Sequence, residues 1–326
     1  MKRVNFGVLG CASVARRLVI PAMQRVESVN LISVASRSHK KAQEFADEFN
    51  CQAAVDYEAL LKNPEIDAIY MPLPTGLHFE WAHKALDAGK HLFLEKSLAS
   101  SYYEALSIVK KAQKNNLLVK ENYMFEYHSQ QAAVRKLLSE DVGEIQLFSA
   151  NFGFPPLDSK NFRYNRELGG GALLDAGGYT LKALDVFFPG SAFRVLASNL
   201  KMDGGIDIGG TAMVEINSNL GNFPAIISYG FDHLYQCNIE AWGSKGLLKT
   251  NRTFTAGNSF SPVAELITER GVELVTLPQD DHFANILEEF TKMIRGGQFN
   301  RCYKSILSQA KLQQEVRDKS SKDWNG

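Results

Sequence analysis

The stretch Val4-Asn5-Phe6-Gly7-Val8-Leu9-Gly10-Cys11-Ala12-Ser13-Val14-Ala15 decides how the rest of the chain is read. A short β-rich run, Val4–Leu9, enters a turn of small residues. Helical spacing follows over Ser13–Arg25, with a kink expected at Pro21, which has no N–H to give. Small residues at such a turn let backbone approach a pyrophosphate at a helix N-terminus. Read as G-x-G-x-x-G, the turn offers Gly10, Ala12 and Ala15, a degenerate match that tight packing would also explain. Gly10, Cys11, Ala12, Ser13 and Val14 are the first candidate cofactor contacts.

The same rhythm continues downstream. Strands are expected at Leu31–Ala35, Asp67–Met71, His91–Leu94 and Leu118–Glu121, and helices at His39–Phe49, His78–Ala88 and Ser101–Asn115. Alternation at this pace predicts an α/β domain over residues 1–121, a doubly wound parallel sheet of the Rossmann type. Ligands of such sheets bind at the carboxyl ends of the strands. The second half changes character. Ile145–Phe154, Arg194–Met202, Gly210–Ser218, Ala225–Phe231, Tyr235–Trp242, Gly246–Thr250, Ala264–Glu269 and Val272–Leu277 read as strands with few helices between them. Residues 122–326 are therefore expected to form an α+β domain with a large, mostly antiparallel open sheet. Helices return at Phe283–Arg295 and Tyr303–Arg317, and the polar tail Asp318–Gly326 is expected to fray.

Strand two ends in Val34-Ala35-Ser36-Arg37-Ser38-His39-Lys40-Lys41. NAD-specific folds place a carboxylate there for the ribose 2′-hydroxyl. None is present; Ser36 and Arg37, with Lys40 or Lys41 as a secondary charge, suit a 2′-phosphate. NADP(H) is expected over NAD(H).

Bulk properties agree with a two-domain enzyme. At 326 residues the chain exceeds one comfortable core. Its 36 basic and 36 acidic residues cancel, which gives no bulk attraction to nucleic acid polymers or a membrane surface. The apolar run at the N-terminus is too short for a signal peptide. Cys11, Cys51, Cys237 and Cys302 lack CxxC spacing, so neither a metal site nor a disulfide framework is expected, and a cytoplasmic location is the simplest account.

Three further segments carry the chemistry: Met71-Pro72-Leu73-Pro74-Thr75-Gly76-Leu77-His78, Gly89-Lys90-His91-Leu92-Phe93-Leu94-Glu95-Lys96-Ser97, and Leu168-Gly169-Gly170-Gly171-Ala172-Leu173-Leu174-Asp175-Ala176-Gly177-Gly178-Tyr179. In this order and spacing they resemble the glucose–fructose oxidoreductase / inositol dehydrogenase / rhizopine-catabolism (Gfo/Idh/MocA) family over nearly the whole chain. The family's Glu-Lys-Pro motif stands as Glu95-Lys96-Ser97, without its proline. Its Asp-x-Gly-x-His motif stands as Asp175-Ala176-Gly177-Gly178-Tyr179, with tyrosine for histidine. Glu121-Asn122-Tyr123-Met124-Phe125-Glu126-Tyr127-His128-Ser129-Gln130 resembles members that reduce 3-keto groups on nucleotide-linked deoxysugars, and Asn161-Phe162-Arg163-Tyr164 fits the same sugar-active group.

The resemblance implies an NADP-dependent oxidoreductase moving a hydride between nicotinamide and a sugar carbonyl, with a nucleotide-linked keto-deoxysugar as the sharper substrate. Free-sugar, inositol and dihydrodiol dehydrogenases are alternatives on the same fold. A non-catalytic NADP-sensing protein is the alternative of another class, against which Lys96, Asp175 and Tyr179 all persist. Besides the glycine turn, the resemblance implies cofactor contacts from Leu73, Pro74, Thr75, His78, Glu95, Lys96, Asn122 and Arg163. Substrate contacts are expected from Lys96, Tyr102, Phe125, His128, Asp175 and Tyr179. A phenol, with an ordinary pKa of about 10, is a poor base at neutrality. An ammonium such as that of Lys96 would stabilise its phenolate and a developing alkoxide. Tyr179 is the expected proton donor, Lys96 the oxyanion partner, and Asp175 the group that orients Lys96 or a sugar hydroxyl. Four residues apart, Asp175 and Tyr179 would share one face of a regular helix. A homodimer or homotetramer through the C-terminal sheet is also implied.

Overall fold

The computed structural model describes residues 3–320, which form two compact units. One holds residues 3–124 together with 283–310; the other holds 125–282 and 311–320.

The first unit opens with β1 (Val4–Leu9), α1 (Ile20–Arg25), β2 (Val29–Ala35), α2 (His39–Phe49), β3 (Gln52–Ala53) and α3 (Tyr57–Lys62). It continues with β4 (Ala68–Met71), α4 (His78–Asp87), β5 (His91–Leu94), α5 (Tyr102–Lys114) and β6 (Val119–Glu121). The strands form one parallel sheet in the order β3-β2-β1-β4-β5-β6. This is the doubly wound order, and its direction of growth reverses between β1 and β4, where ligands of such sheets bind. The short elements β3 and α3 carry too few residues to show periodicity. Asp56 nonetheless caps α3, accepting from the Ala59 N–H at 2.7 Å. The kink expected at Pro21 appears one turn earlier, as a π-helical turn over Ala15–Val19. Pro21 then sits at the start of α1, where a missing N–H is tolerated.

The second unit contains α6 (Gln130–Glu140), β7 (Ile145–Gly153), a π-helix Leu173–Gly177 running into α7 (Gly178–Phe187), and then β8 (Ala192–Asp203), β9 (Ile206–Ser218) and β10 (Gly221–Gly230). It goes on through β11 (Gln236–Gly243), β12 (Gly246–Thr250), β13 (Val263–Thr268) and β14 (Gly271–Thr276). These strands form an eight-stranded sheet, β14-β13-β12-β11-β7-β10-β9-β8, in which β7–β10 pairs in parallel and the other pairs are antiparallel. The helices α6 and α7 escape an apolar-periodicity reading. Nearly every residue of α7 is buried, so its sequence has no polar face to mark a helical period. Phe148 of β7 meets Phe187 and Phe188 at centroid distances of 6.0 and 5.0 Å, which fixes α7 on one face of the sheet.

The opposite face carries a different pattern. Leu147, Trp242, Leu247, Ile267 and Val272 stand directly opposite one another on five successive strands. Opposed residues point to the same side, so they form one apolar row across the sheet. Trp242 is 61% exposed and Val272 64%.

After β14 the chain forms α8 (His282–Gly296) and α9 (Asn300–Lys319). The α8 residue Phe290 lies 5.5 Å from both Phe6 on β1 and Phe93 on β5, and Thr291 bonds Ser28 at 2.8 Å. The α9 residue Tyr303 donates to the Leu117 carbonyl at 2.7 Å. Residues 283–310 thus complete the core of the parallel-sheet unit. The tail expected to fray from Asp318 is instead helical through Lys319, and Ser320 bridges Ser198 of β8; the rest of that tail, 321–326, lies outside the described residues. Among the described residues no helix is long and apolar enough to cross a membrane.

Candidate functional site

The carboxyl ends of β1, β2, β4 and β5 gather most of the expected cofactor residues in the first unit. Gly10 leaves β1 at φ +121°, and a Cβ there would come within 2.9 Å of Leu73, which follows β4. The strand reversal therefore leaves no room for a side chain at Gly10. Cys11 is buried; its thiol donates to the Ala35 carbonyl at 3.7 Å, and burial pushes its pKa up to about 11. It is a neutral packing group in this turn. Ser13 is exposed and Ala12 and Val14 are partly exposed. At the end of β2, Ser36 is nearly buried, and its hydroxyl accepts from the Ser38 N–H at 3.3 Å. Arg37, Lys40 and Lys41 are exposed beside it. A glycine cradle at the switch point, with three cations and two serines at the second strand, fits an adenine dinucleotide bearing a 2′-phosphate.

Glu95 and Lys96 follow β5. One carboxylate oxygen of Glu95 accepts from Tyr70 Oη and from Asn122 Nδ2, both at 2.7 Å. Lys96 is half-buried next to this anchored carboxylate, and the Lys96–Ser97 peptide is cis. The following turn is pinned as well: the Leu98 N–H donates to Glu121 at 2.7 Å. Asn122 is 1% exposed, and its Oδ1 has no partner among the described residues. Asn122 is a brace for Glu95.

His78 corrects an expectation. It is fully buried, with Nε2 2.8 Å from the Leu73 carbonyl and Nδ1 3.0 Å from that of Ser97. Burial lowers its pKa, so the ring stays neutral. It ties the post-β4 and post-β5 loops together from behind and has no surface to offer a cofactor. Pro74 is partly exposed and Thr75 is nearly buried. Tyr102, on the first turn of α5, is partly exposed and packs edge-on against Tyr103.

In the second unit, Tyr179 sits at the start of α7 in a box of aromatic rings. Phe152 meets it edge-on at 5.2 Å, Phe125 lies at 5.8 Å and Phe254 at 6.0 Å. Gln130 and Gln131 hold the Phe254 segment by donating to the Thr253 carbonyl. Asp175 accepts from Arg163 Nε at 2.6 Å. Arg163, expected at the cofactor, is thus the partner of Asp175. The Leu173–Gly177 π-helix carries Asp175, and its i→i+5 bonding widens the turn. The π-helix runs directly into α7, so Asp175 and Tyr179 lie on one continuous helical segment.

Phe125 and His128 are corrected as substrate contacts. Phe125 is fully buried in the aromatic box. His128 is 2% exposed, accepts from the Gln130 N–H at 3.1 Å and packs against His282 at 5.6 Å. Burial lowers the pKa of both imidazoles, that of His282 to about 4 with the neighbouring His128 adding to the effect. Both are core histidines. Two buried groups in this unit escape a motif-based reading, Asp207 on β9 and Lys182 on α7. Lys182 pairs with Asp185 at 3.0 Å and with Glu126 at 3.8 Å. Asp207 stands between Ile206 and Ile208, and its flanking Gly204-Gly205 and Gly209-Gly210 were the available signal that this is no ordinary strand position.

Comparison with known proteins gives the same outline. Residues 4–123 match the model of an oxidoreductase family with an NAD-binding Rossmann fold, GFO_IDH_MocA, and residues 131–249 match the GFO/IDH/MocA C-terminal domain. The chain is 40% identical over 298 residues to a dTDP-3,4-didehydro-2,6-dideoxy-α-D-glucose 3-reductase of Saccharopolyspora spinosa, covering 91% of this chain and 89% of that one. It is also similar to a 3-ketoreductase from Actinomadura kijaniata solved in complex with NADP and TDP-benzene: TM-score 0.93, 34% identity, 98% of each chain covered. An aldose–aldose oxidoreductase from Caulobacter crescentus shares the fold at TM-score 0.86 and 18% identity, with 98% of each chain covered.

Proposed function

The chain belongs to the Gfo/Idh/MocA oxidoreductase family, and on that premise we propose that it uses NADPH to reduce the 3-keto group of a dTDP-linked deoxysugar. The observation that carries this reading is the likeness, over nine-tenths of the chain, to a reductase of that substrate class, in a sequence that keeps Lys96, Asp175 and Tyr179. The Gly10 turn, Leu73, Pro74 and Thr75 would hold the dinucleotide, and Ser36, Arg37 and Lys41 its 2′-phosphate. When bound, NADPH supplies the hydride.

The protein's own part is charge and proton placement. The Lys96 ammonium donates to the substrate oxygen and stabilises the charge that grows there. Glu95, braced by Tyr70 and Asn122, keeps the Lys96 loop in one shape. The Tyr179 phenol gives its proton to the oxygen as it becomes a hydroxyl. Asp175, held by Arg163, accepts from a substrate hydroxyl and orients the sugar. Tyr102 contributes substrate surface from α5.

Two measurements test the reading. Arg37→Ala should shrink the NADPH-over-NADH preference roughly ten- to a hundredfold, the worth of a lost charge-assisted hydrogen bond, as followed by nicotinamide fluorescence. An unchanged preference would remove Arg37 from the 2′-phosphate site. NADPH oxidation should be fast with a dTDP-linked 3-keto-deoxysugar and slow with the free sugar. Equal rates would move the substrate to free sugars.

We also propose a homodimer or homotetramer closed over the apolar row Leu147–Trp242–Leu247–Ile267–Val272. A partly exposed, in-register apolar row on an open sheet is a surface that proteins normally cover. Trp242→Glu should shift the solution mass, read by light scattering, toward the monomer. An unchanged mass would place any interface elsewhere. A cytoplasmic location belongs to the same proposal and suits four cysteines that form no disulfide.

A further inference from the structure

We propose that Asp207 is a positioning residue for the reaction, one that holds the start of the Leu173–Phe187 helical segment and so sets where Asp175 and Tyr179 point. The inference rests on the catalytic part assigned above to Tyr179.

The first amides of any helix lack intrahelical partners and need acceptors from outside. Here the cap residue supplies none: Ala172 stands at the cap position and makes no side-chain cap bond. The acceptor comes from β9. The Leu173 N–H donates to Asp207 Oδ2 at 2.5 Å, and the Ala172 amide faces the same carboxylate. The fit is tight. Gly171 has φ +120°, and a Cβ there would collide with the Asp207 carboxylate. Two features mark this contact as more than a routine cap. Asp207 is 8% exposed, an unusual depth for a carboxylate. Beside it lies Tyr229 of β10, whose hydroxyl is buried with no hydrogen-bond partner among the described residues. The Tyr229 ring runs beneath the same segment, 3.1 Å from where a Gly177 Cβ would sit. Asp207 and Tyr229 together floor the segment 171–177. That segment includes the widened turn carrying Asp175 and ends two residues before Tyr179. In a π-helical turn the side-chain directions depend on where the turn begins, and Asp207 fixes that point.

The groups facing Asp207 are the helix amides, Tyr229 on β10 and Arg317 on α9. Burial dominates, raising the Asp207 pKa from 3.8 to about 6, while the amides and Arg317 act against it. The sign follows. The folded state holds this proton more tightly than the unfolded state. The contribution of Asp207 to stability is therefore greatest below about 3.8 and is lost as pH rises through about 6. The cap has the opposite preference, since the ionised carboxylate is the better acceptor. At neutral pH Asp207 thus weakens the global fold while strengthening the helix start, the trade expected of a residue kept for function.

Asp207→Asn separates the two effects. With a dTDP-linked 3-keto-deoxysugar and NADPH, kcat should fall roughly tenfold or more, because small misplacements of a reacting group are costly. The acid limb of the wild-type kcat profile near pH 6 should disappear. The Tm at pH 7.5 should hold or rise, and hydrogen exchange of the Ala172 and Leu173 amides should accelerate about tenfold. An unchanged kcat and acid limb, or a kcat loss accompanied by a matching Tm loss, would overturn the proposal. If the wild type does not turn over this substrate, the proposed function fails. The exchange arm then decides the inference alone: faster exchange supports the cap, and unchanged exchange removes it.

Discussion

Lys96→Met is expected to lower kcat by roughly two to three orders of magnitude, the usual loss when a donor to a developing oxyanion is removed. NADPH affinity should stay within a few-fold. The substitution keeps the length and apolar stem of the side chain and deletes the ammonium. The loop around it should survive, because its shape comes from other groups: Glu95 held by Tyr70 and Asn122, Leu98 held by Glu121, and His78 joined to Ser97. Steady-state kinetics paired with a fluorescence titration of NADPH checks both halves. A loss under tenfold would mean that charge on the substrate oxygen is met by another group. A large loss of NADPH affinity would mean that Lys96 binds cofactor more than it serves the reaction.

Tyr179→Phe is expected to cost about 10²- to 10⁴-fold in kcat, the range for removing a general acid, with little change in KM. The structural argument for a clean test is the aromatic box. Phe152, Phe125 and Phe254 surround the ring, and phenylalanine keeps those contacts while losing only the hydroxyl. A variant that retains kcat within threefold would hand the proton-donor role to Lys96.

The parallel sheet was legible because its signals are local. A buried strand, a glycine turn and the next helix lie within about 20 residues, and strand order follows from handed connections. The sugar-family motifs marked Lys96, Asp175 and Tyr179 for the same reason, each being carried by a short run. What stayed hidden was every role that depends on a distant partner. His78 reads like a ligand in its motif, yet its ring nitrogens face carbonyls five, nineteen and twenty residues away. Arg163 reads like a cofactor contact until Asp175 is seen beside it. His128 reads like a sugar ligand until His282, over 150 residues later, is seen to share its core site. Asp207 has no motif at all, because the amides it serves belong to residues 172 and 173. The helix α7 was missed for a different reason, since burial removes the polar stripe by which a helix announces its period, while in α6 two of the four buried positions are the polar Gln130 and Gln131.

The return of residues 283–310 to the parallel-sheet unit bears on how the protein is made. Phe290 and Thr291 fill positions against Phe6, Phe93 and Ser28, and Tyr303 closes onto Leu117. A ribosome releases the first 124 residues long before those partners exist. The nascent dinucleotide-binding sheet must therefore wait, one flank uncovered, while residues 125–282 are translated. Synthesis proceeds at about 5–20 residues per second, so that interval lasts on the order of ten seconds or more. Domain-by-domain folding in chain order is closed to this topology. Truncation after residue 124 should likewise yield an aggregation-prone fragment, and any excised dinucleotide-binding module would need the 283–310 segment supplied alongside it.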